Sequence, residues 1–291
     1  MPPFDRVIIV DWSASSAPSA ARPSAARPSA ARPSAARPSA DAIRIGEASA
    51  SGETTTCHRT RTAAEAALTA TLAGQDRVLI GFDFPMGYPA GFAKRLTDTA
   101  SPKAVHLWLA AAIQDGPDNR NNRFTVAAQI NRMFAAEGPF RGCPASQTHA
   151  GLYATKRIDD PALGLTERRH VETLIPRAQP VWKLYTTGSV GSQSLMGLPL
   201  IHRLGLPVWP FDPPAPRMVA AVYPSLLATA VAARPGIKDA AQVRLLARAL
   251  FRLSQAGTLA PLFATPPIAT EEGWILGAGH APVLAQALTW A

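Results

Sequence analysis

Val7-Ile8-Ile9-Val10-Asp11-Trp12-Ser13 and Val78-Leu79-Ile80-Gly81-Phe82-Asp83-Phe84-Pro85 are two short apolar runs that each deliver an aspartate. Runs of this kind read as buried strands, and such a strand carries the side chain at its end to the sheet's rim with little freedom. Two carboxylates set side by side by parallel neighbours are the minimum for holding a divalent metal ion over a phosphodiester. Either aspartate alone is as readily a turn former or a helix cap. The pair is what raises the metal reading.

Working outward, the first strand (residues 6–12) runs into Pro18–Ala40, which reads PSAAR four times and then PSA. A five-residue period matches no solenoid or coiled coil. Proline every fifth residue blocks a helix, and Ser, Ala and Arg offer no apolar face to bury. Residues 18–40 are therefore expected to be a disordered or polyproline-like expansion of a hairpin loop. Asp41-Ala-Ile-Arg-Ile-Gly46 then opens an alternating strand, and a third strand is expected near 52–58. The segment 62–74 reads as a helix ending at Gly74, a natural residue just past a helix end. A β-β-β-α-β order brings the fourth strand beside the first and the two aspartates to adjacent strand ends.

Beyond Pro85 the pattern turns helical and loop-rich to about residue 180. Residues 86–180 are expected to be a helical insertion, with helices at 103–114 and 124–136 and a polar run at 118–123. A strand is expected at 218–225 and helices at 226–233 and 239–256. Residues 271–276 suit a closing strand or a packed loop. The whole of 1–291 is expected to form one domain.

Composition narrows the function classes. Of 291 residues, 47% are apolar but only 7% aromatic, so the core is built mainly from small and aliphatic side chains. No run of about 18 apolar residues exists and MPPFDR leads into no long apolar stretch, so neither a spanning helix nor a secretory leader is expected. Cys57 and Cys143 are too few for a disulfide framework and lack zinc-site spacing, which points to a reducing, cytoplasmic setting. The net charge of +9 falls to +5 once the repeat's four arginines (22, 27, 32, 37) are set aside. That balance suits an anionic substrate and equally suits solubility.

The ordered set VDWSA, GFDFPMGYP, GSVGSQ with LMGLP, AVYPSLL and EEGWILG resembles an uncharacterised bacterial and archaeal family described as predicted nucleases. The resemblance spans nearly the whole chain apart from the repeat. It implies an RNase H-like α/β fold: a mixed five-stranded sheet in the order 3-2-1-4-5, flanked by helices. It also implies a Mg²⁺- or Mn²⁺-dependent hydrolase of nucleic acid or nucleotides, with Asp11 and Asp83 as catalytic metal ligands. Two departures stand out. The glutamate that the family carries three residues before the proline of its YP strand is here Ala221. The Asp-Ala pair of its last core helix is here Gln242-Val243, although Asp239 matches an earlier acid and joins the expected metal ligands. Glu272 is a further candidate. Two-metal hydrolysis draws on three or four carboxylates, so the alternative is a non-catalytic descendant that binds a nucleotide or a protein. Similar sequences are also linked to molybdopterin guanine dinucleotide synthesis, but the chain has no Walker A loop or glycine-rich nucleotidyltransferase signature.

Other residues complete the expected site. Thr187-Gly-Ser-Val-Gly-Ser-Gln193 reads as a phosphate loop entering a helix, with Ser189, Gly191, Ser192 and Gln193 as substrate-binding candidates. A tight turn is the plainer account of it. Lys183 supplies a nearby charge, and Arg123 closes a polar run whose donors suit phosphate oxygens or cap the next helix. No Gly-x-Ser-x-Gly elbow accompanies Ser13, and no two of the six histidines sit four apart, so serine-hydrolase and zinc-hydrolase chemistries are not expected.

Overall fold

The computed structural model describes residues 1–20, 42–134, 138–155 and 163–290. Strand β1 (Arg6–Asp11) pairs antiparallel with β2 (Ile43–Ser49), which pairs antiparallel with β3 (Gly52–His58). Helix α1 (Arg61–Leu72), capped by the Thr60 hydroxyl accepting the Ala63 N–H, crosses over to β4 (Val78–Phe82). β4 lies parallel to β1, with Val10 opposite Phe82. Helices α2 (Phe92–Thr97), α3 (Pro102–Ala112), α4 (Arg123–Arg132), α5 (His170–Leu174) and α6 (Val190–Leu204) follow. Next come β5 (Val208–Trp209) and β6 (Arg217–Ala221), then α7 (Ala228–Ala232), α8 (Lys238–Gln255), α9 (Ala269–Glu272) and α10 (Ala281–Ala287).

The result is a mixed sheet of six strands flanked by helices, in the order β3-β2-β1-β4-β6-β5. This corrects the expected five-stranded order 3-2-1-4-5. The strand expected fifth is β6, sixth along the chain, and the additional β5 takes the edge beside it, parallel to it. Two residues framed by Pro207 and Pro210 are too few to show any alternation, which is why β5 left no trace in the pattern.

The sheet is buried on both faces except at the edge strand β3. Ile8, Val10, Ile43, Ile45 and Phe82 pack under α3 and α6, while Val7, Ile9, Leu79, Met218 and Ala220 pack under α8. Every residue of β4 is buried, which explains its uninterrupted apolar run. Helix α8 sits directly on β2: a Cβ added at Gly46 would lie 2.7 Å from the backbone carbon of Val243. The expected closing segment makes a short α9, and Ile275 then forms a single parallel bridge to Ala221.

Most of the PSAAR repeat, from residue 21 onward, lies outside the described residues, as do 135–137 and 156–162. Its described start is tied down, since the Ser19 N–H donates to the Arg59 carbonyl and Arg59 Nε donates to the Ser19 carbonyl. No helix among the described residues is long and apolar enough to cross a membrane.

Candidate functional site

Asp11 is the last residue of β1 and Asp83 follows β4 immediately. The pairing continues one step past the ladder, where the Asp83 N–H donates to the Val10 carbonyl at 3.2 Å. In return the Trp12 N–H donates to Asp83 Oδ1 at 2.8 Å. Side chains alternate along a strand. Val10 and Phe82 face the α6 layer, so Asp11 and Asp83 both turn toward α8. There the two carboxyl groups lie close enough for each to shift the other's ionisation.

Burial is the main force on both acids. It pushes Asp83 up to about 6, against the Trp12 amide and the Asp11 contact, which favour its ionised form. Asp11 is held well above the ordinary carboxylate range by burial, then by the Asp83 charge and the contact with Asp83, and then by Asp239. The two acids titrate as a coupled pair. Asp239, in the first turn of α8, lies within electrostatic range of both. Arg44 is the opposing charge: it sits directly across the β1–β2 ladder from Asp11 and favours that residue's ionised form.

The neighbouring wall is built by residues that the sequence pattern did not single out. Arg61 is 2% exposed and grips Asp115 with Nε and Nη2, both at 2.6 Å. Its Nη1 donates to the carbonyls of Ser13 and Ser15 and its Nη2 to that of Asn119, which fixes the loop leaving β1. An arginine in the first turn of a helix reads as a solvated charge, so nothing local signals this role.

Among the expected substrate-binding residues, Gln193 reaches the acids' immediate surroundings: its Nε2 donates to the Trp12 carbonyl at 2.6 Å. Arg123 is buried. It donates through Nε to Ser192 Oγ and through Nη1 to Ser16 Oγ and Asn121 Oδ1, and burial together with Arg61 lowers it to about 10. Ser192 Oγ in turn donates to the Leu184 carbonyl at 2.6 Å. The expected phosphate loop is satisfied from within: the N–H groups of Val190, Gly191 and Ser192 donate to the carbonyls of Gly188, Lys183 and Ser189. Gly191 is required by packing, because a Cβ there would lie 2.1 Å from the Val181 carbonyl oxygen. Ser189 caps α6 without a side-chain bond, and Lys183 Nζ turns back to the Thr187 carbonyl. Among the described residues no hydrogen bond joins either of them to Asp11 or Asp83. This arrangement favours the tight turn over a ready-made anion cradle.

Glu272 is engaged elsewhere. Its two oxygens accept the N–H groups of Ala90 and His170, joining the segment after β4 to α5. Ala221 lies opposite Phe82 and faces the α6 layer, so a carboxylate at this position would enter the apolar core rather than meet Asp11. Val222, whose N–H donates to the Phe82 carbonyl, is the β6-end residue turned toward α8.

Chemically, Asp11 and Asp83 come together where the parallel strands end, with Asp239 and Arg44 in electrostatic range, and among the described residues no group of three or more His, Cys, Asp or Glu side chains is placed to hold a metal ion. Comparison with models of known protein families, with curated proteins and with solved structures finds no match to this chain.

Proposed function

We propose that Asp11, Asp83 and Asp239 form the divalent-cation site of an RNase H-like phosphodiester hydrolase acting on nucleic acid or a nucleotide in the cytoplasm. The observation that carries this reading is the proximity of two part-buried carboxyl groups at the ends of adjacent parallel strands, with a third acid in electrostatic range. Such a cluster is stable only with a shared proton or a bound cation, and the all-oxygen donor set suits Mg²⁺ or Mn²⁺. When bound, the cation would polarise a phosphoryl oxygen and make a bound water more acidic. The chain's own part is orientation. The Trp12 amide fixes the Asp83 rotamer, Gln193 ties α6 to the strand end, and Arg61 holds the loop leaving β1.

A second reading has its own support. With Ala221 turned into the core and Gln242 in place of an acid, the same cluster would serve a non-catalytic protein that binds a nucleotide or a protein partner. The link to molybdopterin guanine dinucleotide synthesis rests on resemblance alone.

Calorimetric titration of Mn²⁺ into the wild type and an Asp11→Asn/Asp83→Asn double mutant tests the site. The expected result is micromolar binding in the wild type that is lost in the mutant. Binding that survives the double substitution would remove the acidic pair from any metal role. Turnover of a phosphodiester by the wild type then separates hydrolase from binding protein.

A further inference from the structure

We propose that the cleft between the β2–β3 hairpin and the C-terminal half of α8 binds a small aromatic carboxylate. This site is separate from the acid pair and independent of the hydrolase reading. Ala48, on its wall, lies opposite Val7, about 13 Å along the strand from the Asp11 end of β1. Along α8, Arg252 stands about 20 Å beyond Asp239.

The cleft has a volume of about 410 Å³, within the usual range for small-molecule sites. Buried Ala48 leaves room against the sheet, while half-buried Phe251 and Trp290 offer ring surface for an aromatic ligand. Charge then selects among ring compounds. Arg248 is taken up by Glu53, which accepts from its Nε and, at 2.6 Å, from its Nη2. Arg252 has no carboxylate partner among the described residues. Its Nη1 donates to the carbonyls of Ala287 and Leu288 at 3.2 and 3.0 Å, at the end of α10. Those bonds leave the Nε–Nη2 edge, whose two parallel donors match the two oxygens of a carboxylate. With Arg248 and Glu53 cancelling, the lining carries one positive charge, the complement of a monoanion. The Arg252 bonds also anchor the chain two residues before Trp290, so one contact sets both the charge and the ring. Gln255, held by its Nε2 donating to the Phe4 carbonyl, keeps an amide oxygen that can accept a ring N–H.

The test is calorimetric titration of the full chain with indole-3-carboxylate. Indole and cyclohexanecarboxylate serve as probes that each lack one feature. The expected result is one indole-3-carboxylate per chain with Kd below about 1 mM, and each control probe weaker by about tenfold. Thermal melts first establish that each variant is folded. Arg252→Gln should weaken indole-3-carboxylate by about tenfold and leave indole unchanged, whereas Trp290→Ala should weaken both. Because Arg252 also ties α10, Ala256→Trp provides the independent variant. It fills the cleft from an exposed position with the Arg252 bonds intact, and it should abolish binding. If Arg252→Gln does not fold, Ala256→Trp and the probe comparison decide. The proposal is overturned by no saturable binding to the wild type, by indole binding as tightly as its carboxylate, or by unchanged affinity in Ala256→Trp.

Discussion

At the scale of single residues, the acid pair exposes a conflict between stability and chemistry. A carboxyl group raised in the fold binds its proton more tightly there than in the unfolded chain. Its stabilising contribution is complete below the unfolded value near 3.8 and is lost as pH rises through the folded value, about 6 for Asp83. Above that, the ionised Asp83 opposes folding. Asp83→Asn retains an oxygen for the Trp12 N–H and supplies a permanent donor toward Asp11. It should therefore raise stability by about 1–2 kcal/mol at pH 7.5 and change it little at pH 4.5. Urea denaturation at the two pH values checks this, and a loss of stability at both would show that the pair is not strained. Arg44 belongs to the same scale but was not legible in advance. Alternation sets it apart from Ile43 and Ile45, yet only the β1–β2 register reveals that it faces Asp11. Register joins residues 33 positions apart, across a repeat with no pattern of its own.

At the scale of elements, the seat of α8 on β2 decides whether the third acid arrives. Gly46→Ala would bring a methyl to 2.7–2.9 Å from the backbone of Val243 and Arg244, and backbone atoms cannot step aside as a flexible side-chain tip can. A loss of about 1–3 kcal/mol in urea denaturation is expected. Gly74→Ala, with only a carbonyl oxygen at 3.9 Å, serves as the near-neutral control. The elements differ in how plainly the sequence shows them, for physical reasons. β1 and β4 were legible because burial on both faces demands an unbroken apolar run. α8 was legible because Val243, Leu246, Leu250 and Leu253 recur at helical spacing. The start of α6 was obscured by Gly191, Ser192, Gly197 and an internal Pro199, all poor helix formers, so its entry read as a phosphate loop. There tertiary packing overrides propensity: Gly191 admits the Val181 carbonyl and Gly197 admits the Phe84 ring.

Across the whole molecule, the response to acid sums opposing contributions. His106, on α3, is 2% exposed, with Nε2 donating to the Met86 carbonyl at 2.7 Å, and burial lowers it to about 4. Its folded value lies below the unfolded 6.5, so the unfolded chain takes up the extra proton first. The stability it supports is complete above 6.5 and drains away as pH falls toward 4, on the order of 3 kcal/mol in all. Over the same interval the Asp11–Asp83 pair contributes in the opposite direction. A His106→Gln variant, able to keep the donor to Met86, should lose less stability than wild type between pH 7 and pH 4.5. An identical loss in thermal melts would mean that His106 is not the group responsible.

The two rims of the sheet complete the account of how this chain meets its surroundings. Strand β3 ends the sheet with Thr54, Thr55 and Thr56 exposed in an almost wholly exposed strand, while β5 ends it with two residues between prolines. An open strand invites pairing with another chain when it is long, flat and greasy. One rim here is polar and the other is cut short, so neither offers the long apolar edge along which a second chain would add a strand.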